Sequence, residues 1–326
     1  MNKTNDNRTK VSVIGGAGFI GTSLCKLLFK SNIPFEIIDL NTSHEFPALT
    51  KIGDVRSYDS MQKLITGDVV VNLAAVHRDD VEDINEYYST NVDGAKNISL
   101  VCSKRNIKRI IFTSSVAIYG IVNKPTNESG LVNPFNDYGK SKYSAEKEFI
   151  CWADSNDKNK LVIIRPTVVF GEGNRGNVYN LLNQIARNKF IMIGSGRNKK
   201  SLAYVENLSS FIQNCIYTNE NKLIINYADS PDLNMNELIS FTLNKLNLNL
   251  ITKIKIPYPL GLMIGMFADI LRILFRKKLP ISYIRIKKFC GTTSFFSSHP
   301  FRINFKVPYS LTNGLAKTIE HEFIDK

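Results

Sequence analysis

A phenol and an ammonium stand four residues apart in Asp137-Tyr138-Gly139-Lys140-Ser141-Lys142. On a helix, positions i and i+4 share a face, so Tyr138 and Lys142 would meet. A lysine beside a tyrosine favours the phenolate, which otherwise forms only near pH ~10. Next to an oxidising cofactor, a partly ionised tyrosine can take the proton of a sugar hydroxyl. Tyr-x-x-x-Lys by itself is common in soluble helices, so its meaning rests on the elements that hold it.

Those elements begin with an apolar strand, Val11 to Ile14, followed by Gly15-Gly16-Ala17-Gly18-Phe19-Ile20-Gly21 and a helix from Ser23 to Lys30. Strand, glycine turn and helix in this order form a dinucleotide site, because glycines let the backbone approach a pyrophosphate at the helix N-terminus. Gly15, Gly18, Phe19, Ile20 and Gly21 are the residues expected there. A second strand, Phe35 to Ile38, runs into Asp39, eighteen residues after Gly21. An acid at that distance suits the ribose hydroxyls of NAD and repels a 2′-phosphate. Gly53-Asp54-Val55 ends the next segment, where Asp54 could reach the adenine side.

The alternation continues. Val69 to Ala75 reads as a buried strand leading into His77-Arg78-Asp79-Asp80, and Asn85 to Lys104 as a helix containing Asn91. Arg109 to Thr113 is a strand ending at Ser114-Ser115. Tyr143 to Ala153 prolongs the tyrosine helix, and Leu161 to Ile164 is a strand with Arg165-Pro166 just beyond. Short β-rich runs between longer helical runs predict an α/β fold: a doubly wound, Rossmann-like parallel sheet covered on both faces.

After Thr167 the pattern changes. Gly171, Gly173 and Gly176 frame a polar turn. Helices are expected from Val178 to Asn188, from Tyr204-Val205-Glu206-Asn207 to Tyr217, and from Asn236 to Leu246, with a strand at Ile224 to Tyr227. Residues 8–170 therefore read mainly as the NAD-binding domain. Residues 171–326 read mainly as a substrate-binding lobe, with some segments returning to the first core.

Ile256 to Leu279 is the most unusual stretch, opening with thirteen consecutive uncharged residues, Ile256 to Ala268. It is too short and interrupted to read as a transmembrane span. It fits a buried core helix, and equally an interfacial helix with Arg276-Lys277-Lys278 at the headgroups. Between Lys245 and Lys288 there are ten Lys or Arg against one acid, Asp269, which favours an anionic membrane surface.

The whole chain, 326 residues at formal charge +13, is 43% hydrophobic and 22% charged, a globular composition. Five cysteines without close pairs read as reduced and mostly buried, in a cytosolic compartment. His44, His77, His299 and His321 show no metal spacing, so no metal is expected, and the polar start carries no apolar signal segment.

Gly15 to Gly21, Asp39, Gly53-Asp54, Ala74-Ala75, Asn91, Thr113-Ser-Ser-Val-Ala-Ile-Tyr-Gly120, Tyr138-Gly-Lys-Ser-Lys142 and Arg165-Pro166 resemble, in order, the extended short-chain dehydrogenase/reductase family, in its branch of nucleotide-sugar epimerases and dehydratases. The resemblance covers nearly the whole chain. It implies Ser115, Tyr138 and Lys142 as catalytic residues. It implies NAD contacts that add Asp54, Val55, Leu73, Ala74, Ala75, Asn91, Thr113, Arg165 and Pro166 to the glycine turn and Asp39, with Tyr138 and Lys142 also facing the cofactor.

Val116-Ala117 stand where the dehydratase branch usually carries an acidic pair, and Asp39 disfavours an NADPH-dependent 4-ketoreductase. The chain departs from common UDP-galactose 4-epimerases at Val76-His-Arg-Asp-Asp-Val81, Arg175-Gly-Asn-Val-Tyr-Asn180, Lys200-Ser-Leu-Ala-Tyr-Val-Glu-Asn207 and Lys287-Lys-Phe-Cys-Gly-Thr-Thr293. There it resembles bacterial O-antigen epimerases acting on N-acetylglucosaminyl-diphospho-undecaprenol. That implies a lipid-linked substrate, with soluble UDP-HexNAc as the alternative and a non-catalytic NAD-binding scaffold as the remote one.

The substrate contacts expected are His77, Arg78, Ser115, Arg175, Asn177, Lys200 and Tyr204. Arg175 and Lys200 are candidates for the diphosphate, or plain solvated charges. His77 and Arg78 contact sugar or join a local ion-pair network, and Tyr204 contacts sugar or frames the pocket. A homodimer, no nucleic acid, and a place in the cytoplasm at the inner face of the cytoplasmic membrane complete the expectation.

Overall fold

A computed structural model of the chain describes residues 9–78, 81–249, 255–275 and 282–325. Its first half alternates as the sequence reading expects. β1 (Val11–Ile14), α1 (Phe19–Lys30), β2 (Phe35–Asp39), β3 (Thr50–Ile52), α2 (Tyr58–Leu64) and β4 (Val69–Asn72) come first. Then follow α3 (Asn85–Tyr88), a π-turn (Ser89–Asp93), α4 (Gly94–Lys104), β5 (Arg109–Thr113), a 3-10 turn (Val116–Tyr119), α5 (Asp137–Asp154) and β6 (Lys160–Pro166).

Seven strands form one sheet in the order β10-β6-β5-β4-β1-β2-β3, where β10 is Lys222–Tyr227, every pair parallel. Its members alternate strictly between two cores, as a sheet covered on both faces requires. Val11, Val13, Val69, Val71, Ile111 and Val162 face Leu24, Leu28, Leu208 and Phe211 on one side. Ile14, Val70, Ile110, Phe112 and Ile163 face Met61, Ile98, Phe149 and Trp152 on the other. The chain leaves β1 toward β2 and returns at β4 on β1's other side. This reversal opens a crevice at the carboxyl ends of β1 and β4, the place where open α/β sheets bind ligands.

The remaining elements are β7 (Val168–Phe170), α6 (Asn177–Ala186), β8 (Met192–Ile193), β9 (Lys199–Tyr204), α7 (Val205–Cys215), β10 (Lys222–Tyr227), β11 (Asp229–Asn234), α8 (Met235–Lys245), β12 (Lys255–Ile256), α9 (Tyr258–Phe275), α10 (Tyr283–Cys290), α11 (Pro300–Ile303) and α12 (Leu311–Ile319), with a π-turn at Glu320–Ile324. β10 joins the large sheet beside β6, and α7 packs on α1. β11-β9-β7 form a small sheet over a separate core that includes Phe170, Leu182, Leu202, Tyr204, Leu238 and Leu315.

Four boundaries differ from expectation for local reasons. β4 stops at Asn72 rather than Ala75, because the Asn72 side chain accepts from the Ala74 amide at 3.1 Å and turns the chain. α1 starts at Phe19, four residues early, since Gly18 is its N-cap. The Asn85–Lys104 helix carries a π-turn around Asn91. β6 runs on through Arg165-Pro166 because β10 pairs with it as far as Tyr227↔Pro166.

α9 is not the core helix that Ile256 to Leu279 allowed. Its buried positions are glycines: a Cβ at Gly261 would stand 2.5 Å from Ile193, and one at Gly265 would stand 2.8 Å from the Tyr283 backbone. Among its described side chains, most large ones face outward, with Met263 64%, Phe267 61% and Leu274 69% exposed, while Leu262 and Leu271 are half-buried. Leu260, Met263, Ile264, Phe267, Ile270 and Leu274 recur three or four residues apart, one continuous stripe. Arg276-Lys277-Lys278 lie outside the described residues. Among those described, no helix is long and apolar enough to cross a membrane.

Candidate active site

The glycine turn lies at the crevice. Gly15 has φ +78°, a conformation that costs a residue with a side chain 1–3 kcal/mol by general estimate, roughly. A Cβ there would also meet Ala74 N at 2.6 Å, and one at Gly21 would meet Gly15 O at 2.4 Å. The turn is thus pressed against Leu73-Ala74 at the end of β4. Leu73 N donates to Ile14 O at 2.8 Å. α1 has no side-chain cap and no acid in its first turn, so the leading amides at Phe19, Ile20 and Gly21 face the crevice end with the positive pole of the helix. Asp39 accepts from Ala17 N at 3.0 Å and Asn41 N at 3.1 Å, which fixes its carboxylate beside the turn.

Across the crevice, Asn136 caps α5 by accepting from Gly139 N at 3.0 Å. Tyr138 is therefore the second residue of the helix, and Lys142 lies one turn on. The Tyr138 ring tilts against Tyr87, centroids 6.4 Å apart. Lys142 is 2% exposed, its ammonium 4.3 Å over the Phe112 ring. Burial pushes it down to about 7, against the pull of the Glu146 carboxylate. Ser115 ends the connection from β5, half-buried, and its hydroxyl accepts from Ala117 N at 3.1 Å. Thr113 Oγ1 donates to Asn72 O at 3.3 Å and ties β5 to β4 beneath it.

Behind α5 lies a buried polar network absent from the sequence reading. Glu146, one turn after Lys142, receives a bidentate bond from Arg165: Nε to Oε1 at 2.9 Å and Nη2 to Oε2 at 2.6 Å. Arg165 Nη1 donates to the Tyr119 hydroxyl at 2.7 Å, which donates to Asn226 Oδ1 at 2.9 Å. The i, i+4 spacing of Lys142 and Glu146 was the available signal.

Several expected contacts are reassigned. The Arg165 guanidinium binds Glu146 and Tyr119. Asn91 bonds Val76 with both arms, Oδ1 from Val76 N at 3.0 Å and Nδ2 to Val76 O at 3.1 Å, and Nδ2 also reaches Ser141 Oγ at 2.9 Å. It therefore ties the loop after β4 to α5 and has no donor left for a ligand. Asp54 is chelated by Arg56, with Nη2 to Oδ2 at 2.6 Å, which holds its carboxyl below the usual range. Val55 is buried and its carbonyl accepts from Asn97 at 2.8 Å. Pro166 sits in register with Tyr227, and Ala75 is half-buried beside Ala74.

Among the substrate candidates, His77 and Arg78 are exposed, and the Arg78 carbonyl accepts from the Tyr87 hydroxyl, so this loop is attached next to Tyr138. Asp79 and Asp80 lie outside the described residues. Arg175 is exposed but pairs with Glu322 Oε2 at 2.9 Å. Glu322 also accepts from Gly173 N at 2.8 Å, so the end of the chain holds the Gly171–Gly176 turn. That turn backs onto Phe19 at Gly171. Asn177 opens α6 and is exposed.

Tyr204 does not contact sugar: it is fully buried, its hydroxyl 3.0 Å from both Glu172 oxygens and 2.8 Å from Glu206. Lys200 is no free diphosphate ligand either. Its ammonium, lowered to about 8 by burial, donates to the carbonyls of Lys288 at 2.8 Å and Gly291 at 2.6 Å and caps α10.

The crevice fits a dinucleotide. Gly15 and Gly21 leave room for backbone approach, α1 offers uncapped amides, and the Ser114 and Thr167 hydroxyls at the ends of β5 and β6 are buried without a partner.

Known proteins resemble this chain in sequence and in fold. The NAD dependent epimerase/dehydratase family model matches residues 11–226. The chain is 44% identical to the N-acetyl-alpha-D-glucosaminyl-diphospho-ditrans,octacis-undecaprenol 4-epimerase of Escherichia coli O157:H7, over 98% of this chain and 96% of that protein. It is 31% identical to a UDP-glucose 4-epimerase of Vibrio cholerae, over 65% of this chain and 69% of that one. The solved UDP-N-acetylglucosamine 4-epimerase of Methanobrevibacter ruminantium M1 superimposes with a TM-score of 0.74 over 96% of this chain and 97% of that one, at 22% identity.

Proposed function

The chain belongs to the NAD dependent epimerase/dehydratase family, and on that footing we propose that it epimerises C4 of N-acetylglucosaminyl-diphospho-undecaprenol to the N-acetylgalactosaminyl form, in surface polysaccharide synthesis. The observation that carries this reading is the 44% identity, spanning 98% of the chain, to a protein named for that activity. The outward apolar stripe of α9 suits a substrate that lives in a membrane.

Gly15 to Gly21, Asp39 and the Leu73-Ala74 edge would hold NAD, which would supply a reversible hydride acceptor when bound. The chain's own residues handle protons and position. Tyr138 as phenolate accepts the proton of the sugar 4-hydroxyl. Lys142, held over Phe112, lowers the tyrosine's proton affinity while it carries its charge. Ser115 donates to the 4-oxygen as carbonyl character develops. Because α5 is capped by Asn136 and tied by Asn91 through Ser141, Tyr138 stays in place through the cycle.

The enzyme works in the cytoplasm with α9 lying in the inner face of the membrane, its basic neighbours Arg285 and Lys287 toward anionic headgroups. A side-by-side assay on N-acetylglucosaminyl-diphospho-undecaprenol and UDP-N-acetylglucosamine, without added reductant, tests the reading. Conversion of the lipid-linked sugar with little turnover of the nucleotide supports it. Equal or better use of the nucleotide sugar replaces it with the soluble 4-epimerase.

A further inference from the structure

The loop that leads into the catalytic tyrosine meets α10, the helix packed on α9. Phe135 immediately precedes the Asn136 cap and stands three residues before Tyr138. Three residues of chain span at most roughly 10 Å, so the Phe135 backbone lies within that distance of the Tyr138 backbone. Phe135 is 44% exposed, and Leu131 on the same loop is 83% exposed. The Lys288 ammonium, from the last turn of α10, lies over the Phe135 ring, 4.5 Å from its centroid.

Lys288 is held there. Lys200 binds the Lys288 and Gly291 carbonyls, Asn198 Nδ2 binds the Phe289 carbonyl at 2.8 Å, and Asp269 of α9 accepts from Tyr283 N at 3.0 Å at the other end of α10. Gly265 lets α9 close directly on Tyr283. The α9–α10 hairpin is thus one unit, fastened to the small sheet through β9. Lys288 itself is exposed and pairs with no carboxylate among the described residues.

Three chemistries stand in order along these connected elements: a phenol on α5, an unneutralised ammonium of α10 on an exposed aromatic ring, and the apolar stripe of α9 packed on α10. A sugar, its diphosphate and a polyprenyl chain come in the same order. We propose that Lys288 and Phe135 form the station where the diphosphate of a lipid-linked sugar leaves the catalytic cleft and its polyprenyl chain passes onto the stripe of α9. This rests on the lipid-linked reading above. It assigns the diphosphate to Lys288, with Lys200 as the residue that positions it. Charge complementarity selects the occupant: an uncharged apolar ligand would gain nothing from Lys288, and a nucleotide would gain nothing from Met263 and Phe267.

The test measures kcat and KM on two N-acetylglucosaminyl-diphospho-polyprenols, one with a short prenyl chain and one with undecaprenyl, in the same detergent micelles. In the wild type the long chain has a KM about tenfold lower. Lys288→Ala raises KM about tenfold on both with kcat retained, and Lys288→Arg recovers most of the loss. Met263→Ser with Phe267→Ser raises the long-chain KM to meet the short-chain one. Equal KM for both chains in the wild type, or an unchanged KM in Lys288→Ala, overturns the station while the lipid-linked reading stands. No turnover of either lipid beside rapid turnover of UDP-N-acetylglucosamine overturns both.

Discussion

Two regions depart from the usual partition of polar and apolar groups, in opposite directions. Behind α5, a carboxylate and a guanidinium are inside: the Glu146 side chain is 0% exposed and that of Arg165 6%. On α9, methionine, phenylalanine and leucine are outside. Charged residues are rarely buried unless paired, and contiguous exposed apolar surface marks a binding site. The difference lies in where the partner is. Every polar atom of the Glu146–Arg165–Tyr119–Asn226 chain finds its partner within the protein. The α9 stripe finds none among the described residues. The first arrangement holds α5 rigid, as the proposed chemistry at Tyr138 needs, and the second leaves an open apolar surface, as the proposed lipid-linked substrate needs.

The largest effect is expected where the inward arrangement delivers its chemistry. Tyr138→Phe removes the proton acceptor and leaves the ring against Tyr87. Turnover should fall by about 10²–10⁴-fold, while calorimetric NAD binding and the melting temperature stay near wild type. Near-normal turnover would remove Tyr138 from the mechanism and, with it, the reason for holding α5 so tightly.

Next comes the ion pair itself. Glu146→Ala leaves Arg165 charged and buried, which costs about 3–5 kcal/mol in comparable cases, read as a drop in the urea midpoint. Glu146→Leu with Arg165→Met replaces the pair by apolar volume and should recover most of that stability. If it does so with turnover still low, the pair is there to position Lys142. If the double variant is fully active, the network serves stability alone.

How far these regions were legible in the sequence follows the same division. The inward region was mostly readable. Alternating apolar runs specify a sheet buried on both faces, and Gly15, Asp39, Ser115, Tyr138 and Lys142 fall at its strand ends and helix start, where short-range pattern determines position. Long-range partners were not readable. Arg165 and Asn91 carried expected cofactor roles, yet Arg165 meets a residue nineteen positions away and Asn91 one fifty positions away. Lys200 and Tyr204 looked like pocket residues because polar side chains on a loop and strand give no sign of the carbonyls or carboxylates that the tertiary fold brings to them. For α9 the apolar stretch was evident, but an inward and an outward stripe have the same period. Only Gly261 and Gly265, spaced four apart, told which face touches protein.

A finer test of the inward region uses protons. Burial pushes the Lys142 ammonium down to about 7, with Glu146 pulling the other way. The unfolded chain keeps that proton up to the ordinary lysine range, so between about 7 and ~10.4 it binds more protons than the fold does and stability rises with pH. Below that window both states are protonated and the contribution is constant. Glu146→Gln removes the upward pull and should lower the Lys142 midpoint by about one unit, measured by NMR on carbon-labelled lysine. An unmoved midpoint would show that Glu146 acts only through Arg165.

The smallest effect on the fold is expected on α9, and that is its diagnostic value. Met263 and Phe267 are 64% and 61% exposed, so Met263→Ser with Phe267→Ser removes little buried area. Stability should change by less than about 0.5 kcal/mol per site, whereas the same substitutions at Leu208 or Phe149, fully buried, would each cost several times more. Co-sedimentation with vesicles containing anionic lipid should nevertheless fall several-fold, since the stripe supplies the apolar part of binding and the lysines only the electrostatic part. Raising salt should weaken the wild type and the variant by similar factors, because the basic side chains are intact in both. A variant that unfolds would place α9 in the core after all. A stable variant with undiminished vesicle binding would leave the stripe to another partner, a second copy of the chain, which analytical ultracentrifugation would reveal.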